Sequence, residues 1–200
     1  MELIALLACV VAFVYFKSVE QRQRIALLAK HLGRFEIEKM METLMQGYMR
    51  ALGESDAERQ RQVWEHFAPQ EDKLVGQFAD FAKDFSGVWA GNAVVSTLPI
   101  AFPRADKIFP HATFDVRKAF QIHANGLEAA VRNAEQRSAG DRAYTITAEL
   151  MLMQHTCHWF CRSKAMASAR LLRQHNTRYD QVLTGVSAST RQSYLQLVNR

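Results

Sequence analysis

The chain has 200 residues, 48% of them hydrophobic, and a formal charge of +5, which suits one compact domain with a real core and gives no sign of a second. Four prolines and nine glycines, set among abundant Ala, Gln, Glu, Arg, Leu and Met, exclude a strand-rich body and predict an all-α class. There is no Gly-rich phosphate loop, no nucleophile elbow, no carboxylate–histidine pair at ligand spacing, and no convincing repeat, so an enzyme is not expected.

In chain order, the first element is an apolar run from Leu3 to Phe16, closed by Lys17. Fourteen helical residues reach about 21 Å, against a hydrocarbon core of about 30 Å. Extension through Ser18 and Val19, with Lys17 snorkelling and the bilayer thinning locally, brings the segment near the lower limit for a span. A cleaved secretory signal is not expected, because Glu2 is the only early charge and Tyr15-Phe16-Lys17 follows the apolar run. The resemblance of Leu6-Leu7-Ala8-Cys9 to a lipoprotein box is treated as chance, since too little precedes Cys9. Residues 1–19 therefore read as a retained single-span membrane anchor. An interfacial helix, an export signal, or a helix buried in a protein assembly are the alternatives.

Lys17, Arg22, Arg24, Lys30 and Arg34 all follow the apolar run and no basic side chain precedes it. The body, residues 20–200, should then be cytoplasmic, where Cys9, Cys157 and Cys161 stay reduced. Residues 20–90 form the N-terminal helices. The first continues from the anchor without Gly or Pro to Leu32, and a second portion carries Ile37, Met41, Leu44 and Tyr48 at helical spacing, ending at Gly53. Ser55 with Glu58 three residues on predicts a capping box opening a helix to about Phe67, with Pro69 kinking it or opening the next. Leu74, Val75, Phe78, Phe81, Ala82, Phe85, Val88 and Trp89 share a face about 140° wide. Core packing is the simplest use of that stripe, a partner groove or lipid-facing surface the other.

Residues 91–112 break the pattern. Pro99, Pro103 and Pro110 deny a continuous helix while Val94, Val95, Leu98, Ile100, Phe102, Ile108 and Phe109 stay apolar. An irregular connection packed on the body is expected, or one that dips into the membrane interface.

Residues 113–200 should form a helical hairpin and tail. Val116, Ala119, Phe120, His123, Leu127, Ala130, Val131 and Ala134 make one stripe ending near Gln136, and a second helix runs from about Asp141 to about His175. With the turn near Ala139 and Gly140, the helices pack antiparallel and His123 falls opposite about residue 156. Cys157, His158 and Cys161 share a face of the second helix, so with His123 they are the candidate ligands of zinc or haem in a sensor. Against this, the face also carries Leu150, Ala165, Ala169 and Leu172, the spacing matches no zinc finger, and the cysteines serve equally as small contact residues. Trp159 and Phe160 point to different sides, which predicts a central helix contacted on more than one side, or one aromatic left for a partner. Ser187 and Ser189 should cap a last helix with Tyr194, Leu195 and Val198.

From Arg162 onward seven basic residues face only Asp180, a formal +6. Arg162, Arg170, Arg173 and Arg178 are the candidate contacts to an anionic lipid surface, a solvated face being the plainer reading. No helix-turn-helix glycine pattern or aromatic-interleaved basic run points to nucleic acid. The leading expectation is a membrane-anchored helical scaffold or accessory subunit without cofactor. Its partners are the lipid bilayer and other membrane proteins, or a second copy of itself. The metal- or haem-binding sensor and the basic, lipid-gripping peripheral domain are the competing readings.

Overall fold

A computed structural model describes residues 1–133 and 135–199. Helix α1 (Glu2–Leu32) is one uninterrupted helix of 31 residues, about 46 Å long. Its first half is largely exposed: Leu3 is 78% exposed, Val10 51% and Val14 57%, and Phe13 alone among its rings packs on the body. Water does not favour so long an apolar surface. The segment is long and apolar enough to cross a membrane, as an anchor or a signal sequence would. From Lys17 on, the same helix is partly covered by the body, and Leu28 is buried.

Helix α2 (Ile37–Leu52) follows after a short link and ends at Gly53, as its spacing predicts. It buries Ile37, Met41, Leu44 and Tyr48. A side chain at Gly47 would run into the Phe67 ring, so the glycine is what lets α2 approach the next helix closely. That helix, α3 (Ala57–Ser86), departs from expectation at both ends. Its cap is Asp56, whose carboxylate accepts from the N–H groups of Glu58 and Arg59, rather than Ser55. It also runs on through Pro69 instead of stopping near Phe67. Pro69 is exposed, so the carbonyl of Glu65 that loses its donor can turn to water. Along α3 the residues Leu74, Phe78, Phe81, Ala82 and Phe85 are buried, as a core stripe should be, and Val75 is half-buried; Val88 and Trp89 both lie past the helix end, the first buried and the second 73% exposed.

The connection is more ordered than expected. Strands β1 (Val94–Ser96) and β2 (Thr113–Asp115) pair antiparallel with Val95 opposite Phe114, and both of these face the core. Between them lies the short helix α4 (Ala105–Ile108). Helix α5 (Val116–Arg132) is capped by Asp115 and ends earlier than Gln136, because Asn133 adopts φ 50°, the left-handed stop that asparagine tolerates. Ala134 lies outside the described residues.

Helix α6 (Ala139–Cys161) returns antiparallel, opened by the Ser138 cap, so Ala139 and Gly140 already belong to the helix and the turn comes before them. The predicted single helix to His175 is two. The chain is extended at Ser163 (φ −168°), whose hydroxyl caps α7 (Lys164–His175) by accepting from Met166 N–H. The break resets the helical phase. Leu150 stays buried, but Ala165, Ala169 and Leu172 are exposed, and Ala167 and Leu171 face the core instead. Helix α8 (Tyr179–Gly185) was not anticipated; α9 (Ala188–Val198) is capped by Ser187 as predicted and buries Tyr194 and Val198.

The core is aromatic at its centre. Phe120 of α5 meets Phe81 and Phe85 of α3, both at 5.0 Å between ring centroids, and Phe85 meets Phe160 of α6 at 5.9 Å. Edge-to-face geometry at these distances adds to area burial. Trp159, on another side of α6, is also buried and donates its Nε1–H to Ser96 O at 2.9 Å. Both aromatics are therefore enclosed, and α6 is the central helix.

Candidate functional site

The hairpin register places His123 as expected. Its Nε2 lies 2.9 Å from Thr156 Oγ1 across the α5/α6 contact. Thr156 donates its only hydroxyl proton to Leu152 O at 3.0 Å, so His123 Nε2–H and Tyr194 O–H must both donate to the threonine oxygen. This fixes the imidazole tautomer and leaves Nδ1 a bare acceptor, with no partner among the described residues. Burial in this dry setting holds His123 neutral, its pKa pushed down to about 3, and neighbouring His155 adds to the effect.

The other predicted ligands look elsewhere. Cys157 is one residue past Thr156, about 100° round the helix, and burial raises its thiol well above the ordinary range. Cys161 is pushed up to about 11, also by burial. His158 lies toward Arg170 and His175 and is pushed down to about 4, chiefly by burial. Among the described residues no three His, Cys, Asp or Glu side chains are grouped to hold a metal ion. His123, Cys157, His158 and Cys161 thus do not come together, because the hairpin places a threonine rather than a cysteine opposite His123.

The buried polar groups that do converge were mostly missed in the sequence. His155 stacks on Tyr179 at 4.4 Å and bonds Ser168 Oγ at 3.0 Å, with Lys164 Nζ over the Trp159 and Tyr179 rings at 5.1 and 5.4 Å. Burial, with Lys164 and His158 nearby, pushes His155 down to about 3. Glu149 is 1% exposed, and its Oε1 accepts from the backbone N–H and hydroxyl of Ser187 at 3.1 and 3.0 Å, at the start of α9. Burial raises its pKa against the lowering from Thr190 and Ser187. Gly126 of α5 makes the room, since a side chain there would strike Thr190 and Glu149. A lone acid inside Ala148-Glu149-Leu150-Met151-Leu152 was the available signal for a buried carboxyl.

A second buried constellation ties α2, α3 and α6 together. Glu71, 1% exposed, accepts from Tyr48 O–H at 2.6 Å and from the Arg142 guanidinium, which also donates to Val131 O. Every charge here has a partner, as burial requires. These groups hold helices in register; His123, His155, Glu149 and Glu71 are all turned away from solvent.

The basic candidates are exposed. Arg162 donates to Gln21 Oε1 at 2.9 Å, Arg170 to Gln174 at 3.2 Å, and Arg178 pairs with Asp180 at 2.8 Å; Arg173 also faces solvent. More informative is Arg24, which sequence reading used only as an orientation charge. It donates to Phe160 O at 3.3 Å and Val94 O at 3.1 Å, stacks over the Phe160 ring, and pairs with Glu20 at 2.6 Å. Its charge sits where the last carbonyls of α6 concentrate negative potential. At the end of α1, His31 meets Asp84 of α3 at 2.5 Å, and in the link that follows Arg34 meets the same carboxylate at 3.1 Å while Phe35 packs on Phe81. The site with a mechanical role is this seam, where α1 is bolted to the body. No protein-family model, curated protein or solved structure matches the chain, so what it does is argued from this geometry.

Proposed function

We propose that the protein is a non-catalytic, membrane-anchored helical scaffold or accessory subunit, spanning once, with its body on the cytoplasmic side and acting through protein–protein contacts. The observation that supports this reading best is the dual use of α1. One unbroken helix is largely exposed and apolar over its first half and clamped by Arg24 and His31 over its second. Such a helix transmits a fixed height and orientation from the bilayer to the body, which is what a subunit needs to present a surface at a set distance from the membrane.

The basic lipid-gripping alternative keeps some geometric support, since Arg162 and Lys17 line the same narrow cleft. The metal or haem alternative has none comparable. The test is carbonate extraction of native membranes followed by crosslinking in mild detergent. Retention in the membrane pellet with a reproducible crosslinked species is expected. A carbonate-soluble, partnerless monomer overturns the reading.

A further inference from the structure

We propose that residues 98–109, between β1 and β2, form a second membrane contact that seats Ile100, Phe102, Ile108 and Phe109 at the headgroup–acyl boundary beside α1. The inference rests on α1 being a membrane anchor, and goes beyond it by assigning a lipid-binding surface to the body.

The loop lies level with the end of the anchor. The Phe102 ring packs edge-on against Phe13 at 5.3 Å and against Phe109 at 5.4 Å, and Arg104 N–H donates to Glu20 Oε2 at 3.1 Å. The loop therefore runs beside α1 from Phe13 to Glu20, about 10 Å of helix. Now the length of the anchor decides where the lipid must begin. Residues 3–12 alone make about 15 Å, half of a hydrocarbon core of about 30 Å, and only by immersing Phe13 to Phe16 does the helix reach about 21 Å. Immersing Phe13 immerses the ring packed on it.

The surface of the loop agrees. Ile100 is 61% exposed, Ile108 54% and Phe109 39%, whereas elsewhere in the same connection Ala93, Val95 and Phe114 are 5% exposed or less. Exposed apolar side chains on a loop that continues an exposed apolar helix make one surface, and its fitting solvent is lipid. Lys17, Arg104 and Lys107 lie at its edge, placed to reach headgroups, with Asp106 and Glu20 the acids beside them. The loop is also held rather than free. Thr97 N–H donates to Ala112 O at 2.9 Å across its base, and Ala165 N–H of α7 donates to Pro99 O at 3.0 Å. A rigid wedge beside a short span eases the mismatch between the helix and the bilayer.

The test uses the full chain in vesicles of phosphatidylethanolamine and phosphatidylglycerol. A nitroxide is attached at Ile108→Cys, and in a second protein at Ile100→Cys, with Cys9, Cys157 and Cys161 replaced by Ala. Native Cys9, with Cys157→Ala and Cys161→Ala, marks the anchor, and Arg59→Cys at the far end of α3 marks water. Collision with oxygen relative to a nickel chelate gives depth, and circular dichroism confirms the fold. Both loop labels should show a ratio severalfold above Arg59→Cys and below Cys9. If Cys9 reads lipid while both loop labels read like Arg59→Cys, the loop contact is wrong and the anchor stands. If Cys9 also reads water, the anchor reading falls and the loop contact with it.

Discussion

Two regions of the molecule invert the usual rule of burial. In the middle of the body, His123, Thr156, His155 and Glu149 are polar and enclosed. Beside the N-terminal helix, Ile100, Ile108 and Phe109 are apolar and exposed. The first region resolves the conflict by internal hydrogen bonds, which specify one helix register at the cost of desolvation. In the second the conflict disappears once the solvent is lipid. The two regions can be probed by changing polarity in opposite directions.

The largest effect should come from opening the buried clamp. Glu71→Ala strips Tyr48 of its acceptor and Arg142 of its counter-charge, leaving the guanidinium only the Val131 carbonyl, which should cost about 3–5 kcal/mol, read from urea unfolding of the full chain in micelles. A loss below about 1 kcal/mol would mean that the clamp behaves as a surface pair.

Acid should come next. His123 and His155 titrate near 3 in the fold, against about 6.5 in an unfolded chain. The unfolded state therefore binds more protons between these values. Their contribution to stability is complete above pH 6.5 and declines as pH falls toward 3, by at most about 1.4 kcal/mol per pH unit for each histidine. Glu149 runs the other way. Its raised pKa penalises folding at high pH, and that penalty is relieved as pH falls through the folded value toward the ordinary carboxylate range. Unfolding midpoints from pH 7.5 to 4 should fall, and more steeply in Glu149→Gln than in the native chain.

The smallest effects sharpen the contrast most directly. Thr156→Val, a nearly isosteric change, makes an enclosed site more apolar and should still destabilise by about 1–3 kcal/mol, because His123 and Tyr194 lose their acceptor. Ile108→Ser makes an exposed site more polar and should change unfolding in micelles by less than about 0.5 kcal/mol. Equal costs for the two would remove the distinction between the regions.

How much of this was readable in advance depends on the range of the interaction. The stripe from Leu74 to Val88 and the ending of α2 at Gly53 are local patterns, and they appear as predicted. The register that sets His123 against residue 156 follows from a short linker. That the residue there is the one making the contact, and not Cys157, depends on helical phase, which the linker does not fix. Glu149 finds Ser187 across 38 residues of chain, and no local pattern records such a pairing. The three-residue strands β1 and β2 are too short for alternation to show. In the connection, the apolar residues were visible as a composition, but their place beside Phe13 is a tertiary fact. The break at Ser163 did have a local sign, since a serine before Lys164 is a good helix cap, and the apolar continuity of the predicted helix hid it.

The uninterrupted course of α1 makes it a phase gauge. At about 100° per residue, Phe13, Arg24 and His31 return to within about 20° of one direction, so the loop, the end of α6 and α3 all dock along a single line. One residue inserted near Ser18 would swing the anchor by about 100° relative to the body and part Phe102 from Phe13, while eleven would restore the bearing and lift it about 16 Å. Length in this helix is therefore quantised: the apolar first half can be moved away from the body on the same bearing only in whole sets of turns.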